Sequence, residues 1–224
     1  MMKKWLALLL SLVMVFSLVA CGSSNTTPDE PKTDVDSGTQ VEEKDFEAGT
    51  IDGDVYSSDV TGLTFKLGEN WVFLDDEGIE ELTGMVQDMS DDEKMKETMS
   101  QGASIYDMYA MTTDGSGRTV NITVEDLGAL YGTILDESKY IDIAIDQLKP
   151  GLESIGATDV VVETASYTIA GTEHNGIHSV ATMQGLNLCQ QLVCIKEGRY
   201  MYNITCSATS EEDAASIMAM FSAK

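Results

Sequence analysis

Two histidines are the residues whose type and spacing come closest to a metal site. His174 and His178 follow Glu173 and are the only histidines among the 224 residues. On a helix, a His-x3-His pair brings both imidazoles to one ion, whereas on a strand residues i and i+4 share a face about 13 Å apart. The surrounding residues have the pattern of a strand, although Asn175-Gly176 offers turn chemistry that would shorten the distance. We expect no metal site and no cofactor, and keep a metal-dependent enzyme or metal carrier using His174 and His178 as an alternative.

The sequence contains no motif that indicates nucleophilic catalysis. Gly115-Ser116-Gly117 has turn chemistry without the spacing of a nucleophile elbow or a phosphate loop. Acidic residues are so numerous that no pair of carboxylates stands out. We therefore predict a protein that is not an enzyme and has no catalytic residues.

An apolar segment near the N-terminus ends at Cys21. Lys3 and Lys4 precede an apolar run from Trp5 to Val19, which is short for a membrane span and typical of a secretory signal peptide. Its ending, Leu18-Val19-Ala20-Cys21, resembles the lipobox of bacterial lipoproteins. The resemblance implies that residues 1–20 are removed and that diacylglycerol on the Cys21 sulfur anchors the protein to the extracytoplasmic face of the cell membrane. The alternatives are an ordinary signal peptide, in which Cys21 has no role, and a retained transmembrane anchor.

The charge of the chain limits its partners. There are 38 Asp and Glu against 13 Lys and Arg, for a formal charge of −25. Because the signal peptide takes two lysines and no acid with it, the mature chain would carry −27. Such a surface repels nucleic acid and anionic headgroups, so we expect neither as a partner.

Composition divides the chain into three parts. After the signal peptide, residues 21–48 form an acidic linker that begins at the lipidated cysteine, with almost nothing to bury and no aromatic residue before Phe46. Segments of this kind stay disordered because they cannot offset the entropy of ordering. Residues 49–224 then suit a single domain with a substantial core.

Hydrophobic periodicity within this domain predicts an α+β fold with a largely antiparallel sheet. The predicted strands are a hairpin of 63–67 and 70–74, a pair at 104–112 and 118–125, and a meander of 159–169, 173–183, 186–195 and 199–207. The predicted helices follow Asp75, Ser90, Asp136 and Ser210, with Pro150 kinking or splitting the third and Phe221 on the inner face of the last. In the strand 118–125, Val120, Ile122 and Val124 alternate with polar residues, which predicts one buried and one solvated face.

The remaining cysteines, Cys189, Cys194 and Cys206, raise the question of a disulfide. A two-residue turn at Glu197-Gly198 would place Cys189 opposite Cys206. A three-residue loop over 196–198 instead gathers the apolar side chains of both strands on one face. We prefer the second register, which predicts that all three thiols are free.

The segment from Leu63 to Leu82, with Phe65 and Leu67 ahead of Trp71 and a helix just after, is similar to the opening of the PsbP-like family. This family comprises the extrinsic photosystem II proteins and their relatives, including exported bacterial versions. The order of elements along the rest of the domain also resembles that family and uncharacterised exported lipoproteins of Gram-positive anaerobes. The resemblance implies an α/β/α sandwich that serves as an accessory or binding module without catalytic residues.

These observations together favour a non-catalytic binding or accessory module that captures an unknown protein or small ligand at the cell surface. A small solute-binding lipoprotein of a transporter is an alternative, although such proteins normally place two lobes around a cleft. We expect the binding surface to use aromatic side chains and backbone groups. The candidates are Trp71, Tyr106, Tyr109 and Tyr131.

Overall fold

The computed structural model describes residues 46–89 and 104–224. Within these ranges the chain forms two antiparallel sheets and four helices, which confirms the predicted α+β class. The strands are β1 Thr50–Asp52, β2 Val55–Ser57, β3 Leu63–Lys66, β4 Trp71–Phe73, β5 Ser104–Thr112, β6 Thr119–Asp126, β7 Thr158–Ile169, β8 Thr172–Met183, β9 Leu186–Glu197, β10 Tyr200–Ala208 and β11 Phe221–Ala223. The helices are α1 Asp76–Met89, α2 Gly128–Ile134, α3 Glu137–Ser154 and α4 Glu211–Met218. The predicted signal peptide, Cys21, most of the linker and the helix after Ser90 lie outside the described residues.

The larger sheet has the strand order β4-β5-β6-β10-β9-β8-β7, and the smaller one β1-β2-β3-β11. Helices α1 and α3 cover one face of the larger sheet, which we call the α3 face. The opposite face, which we call the α4 face, packs against α4 and the smaller sheet. The central strands β6, β9 and β10 are therefore covered on both sides.

Local signals located most elements correctly. Asp136 caps α3 by accepting a hydrogen bond from the Lys139 amide, and Ser210 caps α4 through the Asp213 amide. The meander β7 to β10 is confirmed, and the glycines at its turns, Gly171, Gly185 and Gly198, have positive φ angles. The helix α3 continues through Pro150, so of the two predicted effects, a kink or a split, the split does not occur.

The predicted hairpin of 63–67 and 70–74 does not exist. Strand β3 pairs with β2 and β11 in the smaller sheet, while β4 pairs with β5 in the larger one. The chain changes sheets between them, with Asn70 at a φ of 64°. This crossing buries aromatic rings from both sheets in one core, where Phe65 meets Trp71 edge-on at a centroid distance of 6.0 Å.

The turn between β9 and β10 differs from both predicted registers. Tyr200 pairs with Glu197, so Gly198 and Arg199 form the loop. Arg199 is held outside the ladder by tertiary contacts, since its carbonyl accepts from the Leu127 amide at 3.0 Å and its guanidinium lies 3.0 Å from Asp126. This register directs Cys194 to the α3 face and Cys206 to the α4 face.

The three described cysteines are nevertheless free and buried, as predicted. One further expectation is wrong, because Phe221 belongs to β11 rather than to the last helix, although it is buried as expected. None of the helices in residues 46–89 and 104–224 combines the length and apolar character that a membrane span requires.

Candidate functional site

A row of polar side chains crosses the α3 face of the larger sheet. We call it the polar band, and each of its members is at most 4% exposed. Its members are Thr119, Asn121, Thr123, Glu125, Ser179, Gln190, Asn203, Thr205 and Ser207. The prediction of a solvated polar face on β6 is therefore wrong, because the α3 face of that strand is buried as deeply as its apolar face.

A repeated tripeptide forms the centre of the band. Asn-Ile-Thr occurs as 121–123 in β6 and as 203–205 in β10, and these neighbouring strands are antiparallel. The register pairs Asn121 with Thr205, Ile122 with Ile204 and Thr123 with Asn203. Two amides and two hydroxyls thus lie together on the α3 face, related by an approximate local two-fold axis.

A hydrogen-bonded network closes one end of the band. The Tyr140 hydroxyl on α3 donates to Glu125 Oε2 at 2.8 Å and accepts from Asn203 Nδ2 at 2.8 Å. The Cys194 thiol donates to Asn203 Oδ1 at 3.3 Å. Glu125, the only charged member of the band, is thereby tied to the helix that covers the sheet.

A second network closes the other end. Ser179 donates to Gln190 Oε1 at 3.0 Å, and Gln190 Nε2 donates to Ser207 Oγ at 3.0 Å. Both bonds run across neighbouring strands, from β8 to β9 and from β9 to β10. The glutamine therefore bridges two serines within the sheet.

The centre of the band differs from its two ends. No hydrogen bond joins the side chains of Asn121, Thr123 or Thr205 to another residue of the described ranges. Tyr106 and Tyr109 flank them on β5, opposite Thr123 and Asn121, with ring centroids 6.2 Å apart. Helix α1 packs on this tyrosine pair, while α3 lies over β7 to β9, so the centre of the band lies between the two helices.

Tyr140 and Cys194, which form hydrogen bonds with members of the band, both have raised pKa values. Burial raises the pKa of Tyr140 well above its usual value, and the Glu125 charge raises it further. Burial also raises the pKa of the Cys194 thiol, with smaller contributions from the charges of Glu137 and Glu125. Because a catalytic cysteine needs a lowered pKa, this thiol is a hydrogen-bond donor at neutral pH and not a nucleophile.

The histidines lie within β8, as the strand interpretation requires, and Asn175-Gly176 is not a turn. The His178 ring is placed between two carboxylates, with Nδ1 3.4 Å from Glu163 and Nε2 3.7 Å from Glu211. His174 lies opposite Tyr167 on β7. Among the described residues, no group of three or more His, Cys, Asp or Glu side chains is placed to hold a metal ion.

The four aromatic candidates fall in three places. Tyr106 and Tyr109 flank the polar band, and Tyr109 is fully buried. Trp71 is 8% exposed and packs between the sheets, away from the band. Tyr131 lies on α2 and, at 37% exposure, is the most accessible of the four.

The sequence interpretation missed the band because alternation on β6 was taken to mean a solvated side. The useful signal was the recurrence of Asn-Ile-Thr in two strands of similar length. Amides and hydroxyls at matched positions of two paired strands face each other across the ladder. Their adjacency, however, depends on β6 pairing with β10, which are separated by more than seventy residues of chain.

A comparison with protein-family models gives no match. The chain is 25% identical over 198 residues to the arginine-binding extracellular protein ArtP of Bacillus subtilis, and the alignment covers 88% of this chain. It spans 58% of the length of that relative. The similarity is compatible with a solute-binding or accessory role outside the cytoplasm.

Several solved structures align with part of this chain. LpqN of Mycobacterium tuberculosis, described as involved in cell envelope biogenesis, aligns with a TM-score of 0.39 and 12% identity over 71% of this chain and 82% of LpqN. A protein from Bacteroides thetaiotaomicron aligns with a TM-score of 0.38 and 14% identity over 78% of this chain and 49% of that protein. At these TM-scores the likenesses support no inference about function.

Proposed function

We propose that this chain is a lipid-anchored, extracytoplasmic binding protein without catalytic activity, which takes a small polar ligand at the centre of the polar band. Asn121, Thr123 and Thr205 would form hydrogen bonds with the ligand, and Tyr106 and Tyr109 would form a wall of the site. The solute-binding interpretation and the accessory-module interpretation then describe one protein.

The observation that carries this proposal is the polarity of one buried sheet face. On the α4 face, the same strands β6 and β10 bury only apolar or weakly polar side chains, among them Ile122, Ile204 and Cys206. Burying a polar group without a partner costs roughly 1–3 kcal/mol, so a face selected for stability alone would be apolar. Within the described ranges these three buried polar side chains have no hydrogen-bonding partner, and in this proposal a ligand satisfies them.

The chemical class of the ligand has two supports. The 25% identical relative is named as an arginine-binding protein, which favours an amino acid or a similar small solute. Glu125 places a carboxyl group at the edge of the central cluster, which favours a ligand with an amino or guanidinium group. L-Arginine is therefore the first probe to use.

Membrane attachment is proposed from Leu18-Val19-Ala20-Cys21. Two acyl chains on one glycerol would hold the domain at the cell membrane, where a single chain would bind only marginally. The PsbP-like resemblance supports the accessory, non-catalytic part of the proposal.

Calorimetry tests the ligand site. L-Arginine and the other common amino acids are titrated one at a time into the protein, and we expect saturable binding of at least one with a stoichiometry near one. Asn121→Leu should weaken that binding at least about tenfold, equivalent to roughly 1.4 kcal/mol, because it removes a hydrogen-bonding amide from the site. The matched control is Ile204→Val, which faces away from the band. Binding that Asn121→Leu leaves unchanged, or no binding of any amino acid, would refute the ligand site as proposed.

The intact mass of protein extracted from membranes tests the anchor. The mature species should begin at Cys21 and carry the added mass of diacylglycerol and any further acyl group. Cys21→Ser should leave the membrane fraction, because the sulfur that accepts the lipid is gone. A Cys21→Ser protein that still sediments with membranes would contradict lipid attachment.

A further inference from the structure

Helix α2 exposes an apolar face that the polar band does not explain. Leu130 is 67% exposed, Ile134 50% and Tyr131 37%. At 100° per residue these three side chains fall within about a 100° arc, so they form one face of the helix. Two further features of the helix show that this face points away from the domain.

The opposite side of α2 is fixed to the domain. Gly132 is buried there, and a side chain at this position would collide with Arg199, since an added Cβ would lie 2.7 Å from Arg199 Cβ. Leu127 and Leu135, which flank the helix, are buried in the core beneath α3. The helix is thus held by its glycine side, and Leu130, Tyr131 and Ile134, which we call the α2 patch, project outward.

The α2 patch is free of the negative charge that covers most of this chain. No residue from Gly128 to Ile134 is charged. The acids at its two ends are paired, Asp126 with Arg199 at 3.0 Å and Asp136 with Lys139 at 2.9 Å. Two aliphatic side chains with a tyrosine between them resemble the composition of interfacial helices, in which the ring settles at the headgroup level.

The point where the linker from Cys21 joins the domain indicates what covers the α2 patch. The ring of Phe46, the first described residue, lies 5.9 Å from the Tyr200 ring. The Arg199 guanidinium also lies over the Tyr200 ring, 5.2 Å from its centroid, and Arg199 is the residue that meets Gly132 of α2. The chain that leads back to Cys21 therefore enters the domain at the same end as α2. The 24 intervening residues reach at most about 85 Å, and about 27 Å with coil statistics.

We propose that the α2 patch docks on the membrane, where Leu130, Tyr131 and Ile134 enter the interface of the bilayer that holds the Cys21 lipid. This inference rests on the lipid anchor of the proposed function and is independent of the ligand site. A second copy of the chain is disfavoured as the occupant because both copies would carry a mature charge of −27. The same charge selects zwitterionic lipid. Docking orients the α2 end of the larger sheet toward the membrane and its β8–β9 turn away from it.

Depth-dependent fluorescence quenching tests this orientation. The lipidated full chain with Leu130→Cys is labelled with the NBD fluorophore and reconstituted into phosphatidylcholine vesicles containing acyl-chain nitroxides. The control is Asn187→Cys, an exposed position at the far end of β9, about 30 Å along the strand from the end nearest α2. The native thiols at 189, 194 and 206 are buried and should not react. We expect roughly twofold quenching at position 130 and almost none at position 187.

A second variant and three outcomes make the test decisive. Adding Ile134→Asp to the labelled Leu130→Cys protein should remove the quenching while the protein still floats with the vesicles. Floating protein that shows no quenching at position 130, or equal quenching at both positions, would overturn the docking and leave the anchor intact. Protein that fails to float would refute the anchor and this orientation together. A blue shift at position 130 that grows with protein concentration, without lipid quenching, would assign the α2 patch to a second copy and overturn the proposal.

Discussion

The double variant Thr123→Val and Thr205→Val should be more stable than the wild type while losing its ligand. Each substitution keeps the shape of the side chain and removes a buried hydroxyl that forms no hydrogen bond with the described residues. Replacing a buried hydroxyl that has no partner among the described residues by a methyl group gains about 1 kcal/mol, so we expect about 2 kcal/mol for the pair and a rise in Tm of roughly 4–8 °C. Thermal unfolding followed by circular dichroism measures the shift, and calorimetry measures the loss of ligand.

A matched variant at the closed end of the band should behave in the opposite way. Ser207→Ala removes the acceptor of the Gln190 amide and should cost about 1–2 kcal/mol without affecting the ligand. Opposite signs at the centre and at one closed end of the polar band separate a site kept for binding from a network kept for structure. If the double threonine variant is less stable than the wild type, its hydroxyls belong to the structural network and the site must be placed elsewhere.

Gly176→Ala should destabilise the fold by about 3 kcal/mol, at the upper end of the cost of overpacking, with a fall in Tm of roughly 6–12 °C. Gly176 lies in the interior of β8, and an added Cβ would collide with the Leu192 carbonyl oxygen of β9. That oxygen belongs to a strand that is paired on both sides, so it cannot move without disturbing its ladders. The Tyr167 ring covers the same glycine, with Cδ2 3.0 Å from the added atom.

The control for this variant is a glycine with free space around it. Gly84 lies within α1, and an added Cβ there would meet no atom of the described part of the chain within 4 Å. Gly84→Ala should therefore stabilise the protein by roughly 0.5–1 kcal/mol, the usual gain in a helix interior. Chemical denaturation of both variants provides the comparison. Equal stabilities would show that β8 and β9 separate locally to admit a methyl group.

The elements that the sequence predicted correctly are those specified by neighbours in the chain. Asp136 and Ser210 cap helices through amides three residues away, and Gly171 and Gly185 sit in turns that join consecutive strands. Such signals need no knowledge of the rest of the fold. They established the α+β class, the meander and the position of both histidines on a strand.

The wrong predictions concern features that depend on residues far apart in the chain. Strand β3 and the strand that begins at Trp71 belong to different sheets, because Phe65 and Trp71 meet in a core that only the complete fold creates. The β9–β10 register depends on Arg199, which is held by Asp126 and Leu127 from a distant part of the chain. The buried polarity of Asn121 could not be anticipated either, because periodicity distinguishes the two faces of a strand but does not say what covers them.

The pairing of β6 with β10 also has a kinetic consequence. Strands β4 to β6 are contributed by one part of the chain and β7 to β10 by another, and the second part forms consecutive hairpins of low contact order. Among the described strands, these two parts of the sheet meet at the β6–β10 ladder. Forming this ladder brings together segments separated by more than seventy residues, which is entropically slow. Asn121 and Thr123 lie on the β6 strand of this ladder, and Thr205 lies on the β10 strand. A ligand held by all three would bind only after the β6–β10 ladder has formed. It would therefore slow the separation of these strands more than it speeds their pairing.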